Sequence, residues 1–212
     1  MIIELIFLCG SGLSFSRTES LLHEWSGILV FICIVFHLVW NRKWFRALAK
    51  GRYSANRTMI TVTDILLILL IVLIVVSSLV ISGYVFSSLD LGGAAWGRRI
   101  HYVCTAWIFL IGGIHFGMHL KTGKRNPILY IAGAAGIAAF VICRFYERLF
   151  LLNEFAYMPD IPQWTVYLLH ALMFAAFMTL GNEFFRLIKR KTTRNHSCSG
   201  PKTGFEPNPK QP

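Results

Sequence analysis

Apolar and polar positions come in blocks along this chain. Apolar runs at about 1–15, 21–40, 60–86, 100–120, 127–151 and 164–188 are separated by short polar connections. A helix needs ~20 apolar residues to cross a hydrocarbon core about 30 Å thick. The pattern therefore predicts an all-α, polytopic membrane bundle of about six transmembrane helices. Pro127 falls where the first turn of a helix tolerates proline. The first run is short and contains Glu4. It has neither a basic leader nor a small-residue cleavage site, so it reads as a first helix truncated at its start and not as a removable signal peptide. From 191 to 212 the chain turns to Thr, Ser, Gly, Pro and Lys, which predicts a disordered cytoplasmic tail behind a helical domain spanning 1–190. His196 and Cys198 in that tail read as solvated.

Composition agrees: 55% of residues are hydrophobic and 15% charged, against about 45–50% and about 25% in soluble domains. The net charge of +11 would suggest nucleic acid in a soluble protein, so its placement matters. Six basic residues (Arg42, Lys43, Arg46, Lys50, Arg52, Arg57) follow the second run, and three (Lys121, Lys124, Arg125) follow the fourth. Seven more, from Arg186 to Lys210, close the chain, which makes 16 of the 21. The positive-inside rule puts this face and both termini in the cytoplasm, as expected for a multi-pass protein of the cytoplasmic membrane. The second, fourth and sixth runs then all point inward, and the charge gives no support to a nucleic-acid partner.

Intramembrane ionisable residues are costly and mark functional sites by default. His23 and His37 are 14 residues apart on the second run, as are His101 and His115 on the fourth. Fourteen residues rise about 21 Å along a helix and return to within roughly 40° of the starting face. Two parallel helices so marked place His23 level with His101 and His37 level with His115. Two cross-helix pairs at two depths are what two bis-histidine b-type haems require. Gly27, Thr105 and Gly112 share these faces, and Gly113 and Gly117 flank His115. Small residues there let a flat macrocycle, or another helix, approach closely. Arg98 and Arg99 at the outer end, and Arg42, Lys43 and Lys121 at the inner end, are placed to meet haem propionates or to act as interfacial anchors.

The remaining polar groups leave choices open. His119 is the alternative inner ligand, or a hydrogen-bonding partner for a propionate or a quinone. His170 enters from the outside and contacts the outer haem edge, a quinone or a neighbouring helix. Glu24 reads as an interfacial acid or a proton handler. Asp64 reads as a helix N-terminal acid suited to the dipole, or as a proton handler. The five cysteines are scattered without C-x-x-C, which argues against covalent haem, iron–sulfur or structural zinc. No Gly-rich phosphate loop or dinucleotide fingerprint occurs. Ser11-Gly12-Leu13-Ser14-Phe15-Ser16 echoes Ser82-Gly83-Tyr84-Val85-Phe86-Ser87, each ahead of a helix with a 14-spaced histidine pair. The first two hairpins thus read as an internal repeat.

His23-Glu24-Trp25-Ser26-Gly27, then His37, Asn41 and Trp44-Phe45, then Arg98 before His101, and finally His115-Phe116-Gly117-Met118-His119, together resemble the flavinylation-associated cytochromes. These are integral-membrane b-type cytochromes. The resemblance covers about residues 20–120. It implies transmembrane electron transfer toward extracytosolic flavoproteins, with haem ligands carried onto His23, His37, His101 and His115. A Trp often follows the last histidine of that element in the family; Leu120 stands here. The expectation is an electron-transfer component of an oxidoreductase system, linking an inner donor or the membrane quinone pool to an outer acceptor. A haem-bearing anchor subunit of a larger dehydrogenase, a transmembrane metal reductase and a histidine-lined transporter are the alternatives.

Overall fold

Apolar runs in lipid fold as helices because each backbone group must find its partner within its own segment. A computed structural model of the chain describes residues 17–89, 91–120, 126–153 and 161–198, without the side chains of 17–19, 163 and 191–198. Its helices are α1 (Arg17–Trp40), α2 (Arg42–Ala47), α3 (Ala55–Ile81), α4 (Ala94–His119), α5 (Pro127–Ile142), α6 (Phe145–Leu149) and α7 (Gln163–Cys198). No strand occurs among the described residues. Among the described residues four stretches are long and apolar enough to cross a membrane: Ser20–Trp40, Ala55–Ile81, Ala94–His119 and Trp164–Arg190. The predicted first helix and the first copy of the Ser-Gly repeat lie outside the described residues.

Local chemistry sets several of the ends. Ser54 caps α3, its hydroxyl accepting from the Arg57 amide, and Asn126 caps α5 by accepting from the Ile128 amide, with Pro127 in the first turn as expected. Two predicted segments differ from the structure. The run 127–151 is not one continuous helix: α5 has 16 residues, or about 24 Å. The chain then turns at Arg144, whose φ of +46° is left-handed, into the short α6. That conformation costs a non-glycine residue ~1–2 kcal/mol, and Arg144 is held in it by an ion pair with Glu147. The expected tail boundary at 190 also moves, because α7 continues to Cys198.

Helix α7 is the hub of the packing, against α4 on one side and α5 on the other. A Cβ on Gly117 would stand 2.0 Å from the Met178 carbonyl oxygen, and one on Gly181 2.2 Å from that of Ile114. Glycine is thus required at both positions, and the two contacts lock α4 and α7 in parallel. Gly136 meets the Leu172 carbonyl in the same way, and the Thr179 hydroxyl bridges to the Leu129 carbonyl, which fixes α5 antiparallel to α7. The buried core of Ala106, Ala139, Cys143, Phe145, Leu149, Met173 and Phe177 fills the space among α4, α5, α6 and α7. Helix α3 runs antiparallel along the other side of α4, with Gly97 tucked against Val80 and Ile81.

Candidate functional site

Helix α1 stands apart from this packing. Among its described side chains only Val30 is buried. The N-terminal end of α1 is held to the rest of the fold by Glu24, whose carboxylate accepts from the Ser82 hydroxyl (2.8 Å) and from the Gly83 (2.9 Å) and Val85 (2.8 Å) amides. Those donors sit where α3 ends, in the Ser-Gly-Tyr-Val-Phe loop that the sequence repeat had singled out. Glu24 is therefore a tether between α1 and α3, and every one of these bonds favours its ionised form.

Beside the tether, His23 of α1 faces His101 of α4, with ring centroids 6.1 Å apart. Two imidazoles that share one metal ion through ~2.1 Å bonds hold their centroids about 6 Å apart. The outer pair therefore has the spacing of an axial ligand pair. His101 is oriented from behind by α3: Ser78 Oγ lies 3.2 Å and Ser77 Oγ 3.5 Å from Nδ1. Ser77 already donates its hydroxyl proton to the Ile74 carbonyl, so toward His101 it accepts. The inferred tautomer carries the proton on Nδ1 and leaves the Nε2 lone pair for a metal.

One helical stripe further in, α3 repeats the device. Asp64 Oδ1 lies 2.9 Å from Nδ1 of His115. The approach is close but not well aligned as a hydrogen bond, and both atoms are shielded from solvent. Asp64 stands well inside α3, which begins at Ala55. This displaces the expectation of an acid serving the helix dipole. The stripe that presents Asp64 to His115 also presents Ser77 and Ser78 to His101, in one antiparallel register. The His119 ring lies tilted against that of His115, 4.7 Å between centroids, and His37 and Asp64 are within its electrostatic reach near the C-terminal end of α4. Among the described residues no three His, Cys, Asp or Glu side chains converge to hold a metal ion. The constellations present are pairs.

The glycine stripe divides in two. Gly113 and Gly117 face α7, where Phe177 and Met178 fill the space. A Cβ on Gly27 or Gly112 would meet nothing within 4 Å. Those two positions, on the histidine faces of α1 and α4, leave room for a flat ligand. Arg98 and Arg99 are exposed near the N-terminal end of α4, Arg99 with its guanidinium 5.9 Å from the centre of the Trp96 ring. Lys121 lies outside the described residues. His170 is buried, with Nδ1 2.8 Å from the Val166 carbonyl of its own helix and its ring among Phe109 and Phe145. Sequence reasoning passed over Ser77, Ser78, Tyr102 and Arg148. The 13-residue interval from Asp64 to Ser77, nearly that of the histidines, was the signal for the first two.

The chain is a multi-pass, all-α membrane protein. No known protein family, curated protein or solved structure matches it.

Proposed function

We propose that the protein is a transmembrane cytochrome b that holds two bis-histidine haems, one near each membrane surface, and passes single electrons between an inner or quinol donor and an extracytosolic flavin-type acceptor. The observation that carries this reading is the paired backing of α4 by α3. Serines stand behind His101 and an aspartate behind His115, about 21 Å apart along the helix, and in each case an oxygen lies close to Nδ1, at 3.2 Å for Ser78 and 2.9 Å for Asp64. Metal-ligating histidines characteristically have their second nitrogen held in this way.

In this reading His23 and His101 hold the outer haem and His37 and His115 the inner one, with His119 at hand beside the inner pair. Gly27 and Gly112 leave room for the macrocycle, and Glu24 keeps α1 at the distance the outer pair needs. The bound haems would supply one-electron carriers whose potentials the protein sets through axial ligands, hydrogen bonding and burial. The flavoprotein partner rests on the resemblance of residues 20–120 to the flavinylation-associated cytochromes, and the bilayer is the environment of the apolar helices. A reduced-minus-oxidised spectrum of membranes from haem-replete cells tests the reading, with haem counted against purified protein. A b-type band with two haems per chain is expected. No band removes the proposal in favour of a histidine-lined transporter.

A further inference from the structure

Arg148, on α6, is a cation in an apolar setting. Its guanidinium lies over the rings of Tyr102 (5.1 Å) and Phe145 (5.7 Å). Its Nε is shielded from solvent and has no hydrogen-bond partner among the described residues. The neighbouring acid does not serve it: Glu147 is engaged by Arg144 and by the Asn153 amide. The Tyr102 hydroxyl is likewise buried without a partner. Tyr102 follows His101 in α4, and the charge of Arg148 reaches both His101 and His170. Two unsatisfied donors, one of them cationic, thus converge beside the outer histidine pair. A half-buried guanidinium whose Nε is shielded and unpartnered among the described residues is costly to leave so, and a guanidinium with an adjacent hydroxyl suits a planar anion that accepts at two oxygens.

We infer that Arg148 and Tyr102 form a carboxylate-binding site between α6 and α4, beside His101, and that the carboxylate is a propionate of the outer haem. This rests on the two-haem reading. It also assigns the outer propionate to the half-buried Arg148 instead of the exposed Arg98 and Arg99. The break at Arg144 is what allows it: turning the chain there brings α6 back against α4 and swings Arg148 in beside Tyr102. A free carboxylic acid is the other source of the same chemistry.

The test uses the purified full-length protein and the variants Arg148→Gln, Arg148→Lys and Tyr102→Phe. Each is loaded with native haem and with haem whose propionates are methyl esters. Arg148→Gln should lose at least tenfold in affinity for the outer native haem, with a shifted propionate bending band in resonance Raman. Its affinity for the ester should match that of the wild type. Arg148→Lys should recover part of the loss, and Tyr102→Phe should show a smaller one. Retention of the inner haem reports that each variant is folded. Equal loss of native and ester haem overturns the inference, as does an Arg148→Gln protein with unchanged affinity and Raman band. A wild-type outer-haem spectrum that shifts on adding acetate, and does not shift in Arg148→Gln, would make the occupant a free acid and overturn the propionate assignment. Absence of any haem from the wild type sinks the parent reading along with this one.

Discussion

Asp64 on α3 and His115 on α4 approach to 2.9 Å between Oδ1 and Nδ1, at a depth where an unpaired carboxylate would be costly. A carboxylate behind an imidazole fixes the ring's tautomer and makes its far nitrogen a stronger ligand. Asp64 and Asn56 are the only members of α3 with a buried, unpartnered side-chain oxygen. That oxygen faces His115, which ties Asp64 to the choice of inner ligand.

The first prediction follows from this contact. Asp64→Ala should weaken retention of the inner haem about 10–100-fold, the usual cost of losing such an outer partner. In Asp64→Asn the inner haem should stay bound, with its midpoint potential raised because the ligand is less basic. His115→Ala should remove the inner haem and His119→Ala should spare it. Haem counting and a redox titration read all four variants. An intact inner haem in His115→Ala, with its loss in His119→Ala, would make His119 the ligand.

The outer pair gives the matching case. Replacing both Ser77 and Ser78 by Ala removes the groups at Nδ1 of His101. A neutral hydrogen bond contributes about 0.5–1.5 kcal/mol net. The double variant should therefore bind the outer haem several-fold more weakly while the inner haem is unchanged. The comparison is a haem titration followed by optical spectroscopy. Loss of both haems to the same degree would mean that the serines serve folding and not the ligand.

How far the sequence disclosed these features depends on what each one rests on. The facing of His23 and His101 was legible because a 14-residue interval has one geometric meaning on a helix; no contact joins His37 to His115 among the described residues. Equally legible was the parallel course of α1 and α4, with which the facing of His23 and His101 and the electrostatic reach of His37 to His119 agree. The glycines were not legible, because spacing cannot say whether a small residue faces a ligand or another helix. Gly113 and Gly117 went to α7, while Gly27 and Gly112 stayed open. The break after α5 was hidden because residues 127–143 are evenly apolar, and the turn depends on one arginine taking a left-handed conformation. With that break hidden, nothing in the sequence set Arg148 beside Tyr102.

Glu24 illustrates a role that type and position alone misassign. As an acid beside an outer ligand it invites a proton-handling role, yet its two oxygens accept three hydrogen bonds from the end of α3. A hydrogen bond to a charged group is worth about 1.5–3 kcal/mol, less where solvent reaches it as it does here. Glu24→Ala should lower the thermal midpoint and release the outer haem, both through loss of the α1 tether. Glu24→Gln, which keeps an acceptor oxygen, should fall between. Thermal unfolding with parallel haem counts is the measurement. A Gln variant with wild-type stability and both haems but no quinol oxidation would return Glu24 to proton transfer.

The two classes of glycine give the last prediction, because folding and ligand binding should respond to them in opposite ways. A side chain on Gly117 collides with the Met178 backbone, which cannot yield without moving α7. Overpacking of this kind costs about 1–3 kcal/mol or more, so even Gly117→Ala should reduce the yield of folded protein and the thermal midpoint. Gly112 faces open space, so Gly112→Ala should leave folding intact apart from the small gain of replacing a helical glycine. Gly112→Leu should also fold, but its side chain would occupy the room left for a macrocycle between α1 and α4. The expected result is a monodisperse protein of near-normal helicity with depleted haem, read by circular dichroism, gel filtration and the pyridine haemochrome spectrum. Full haem content in Gly112→Leu would mean that the α1–α4 space does not hold the macrocycle, and would move the site to another face of α4.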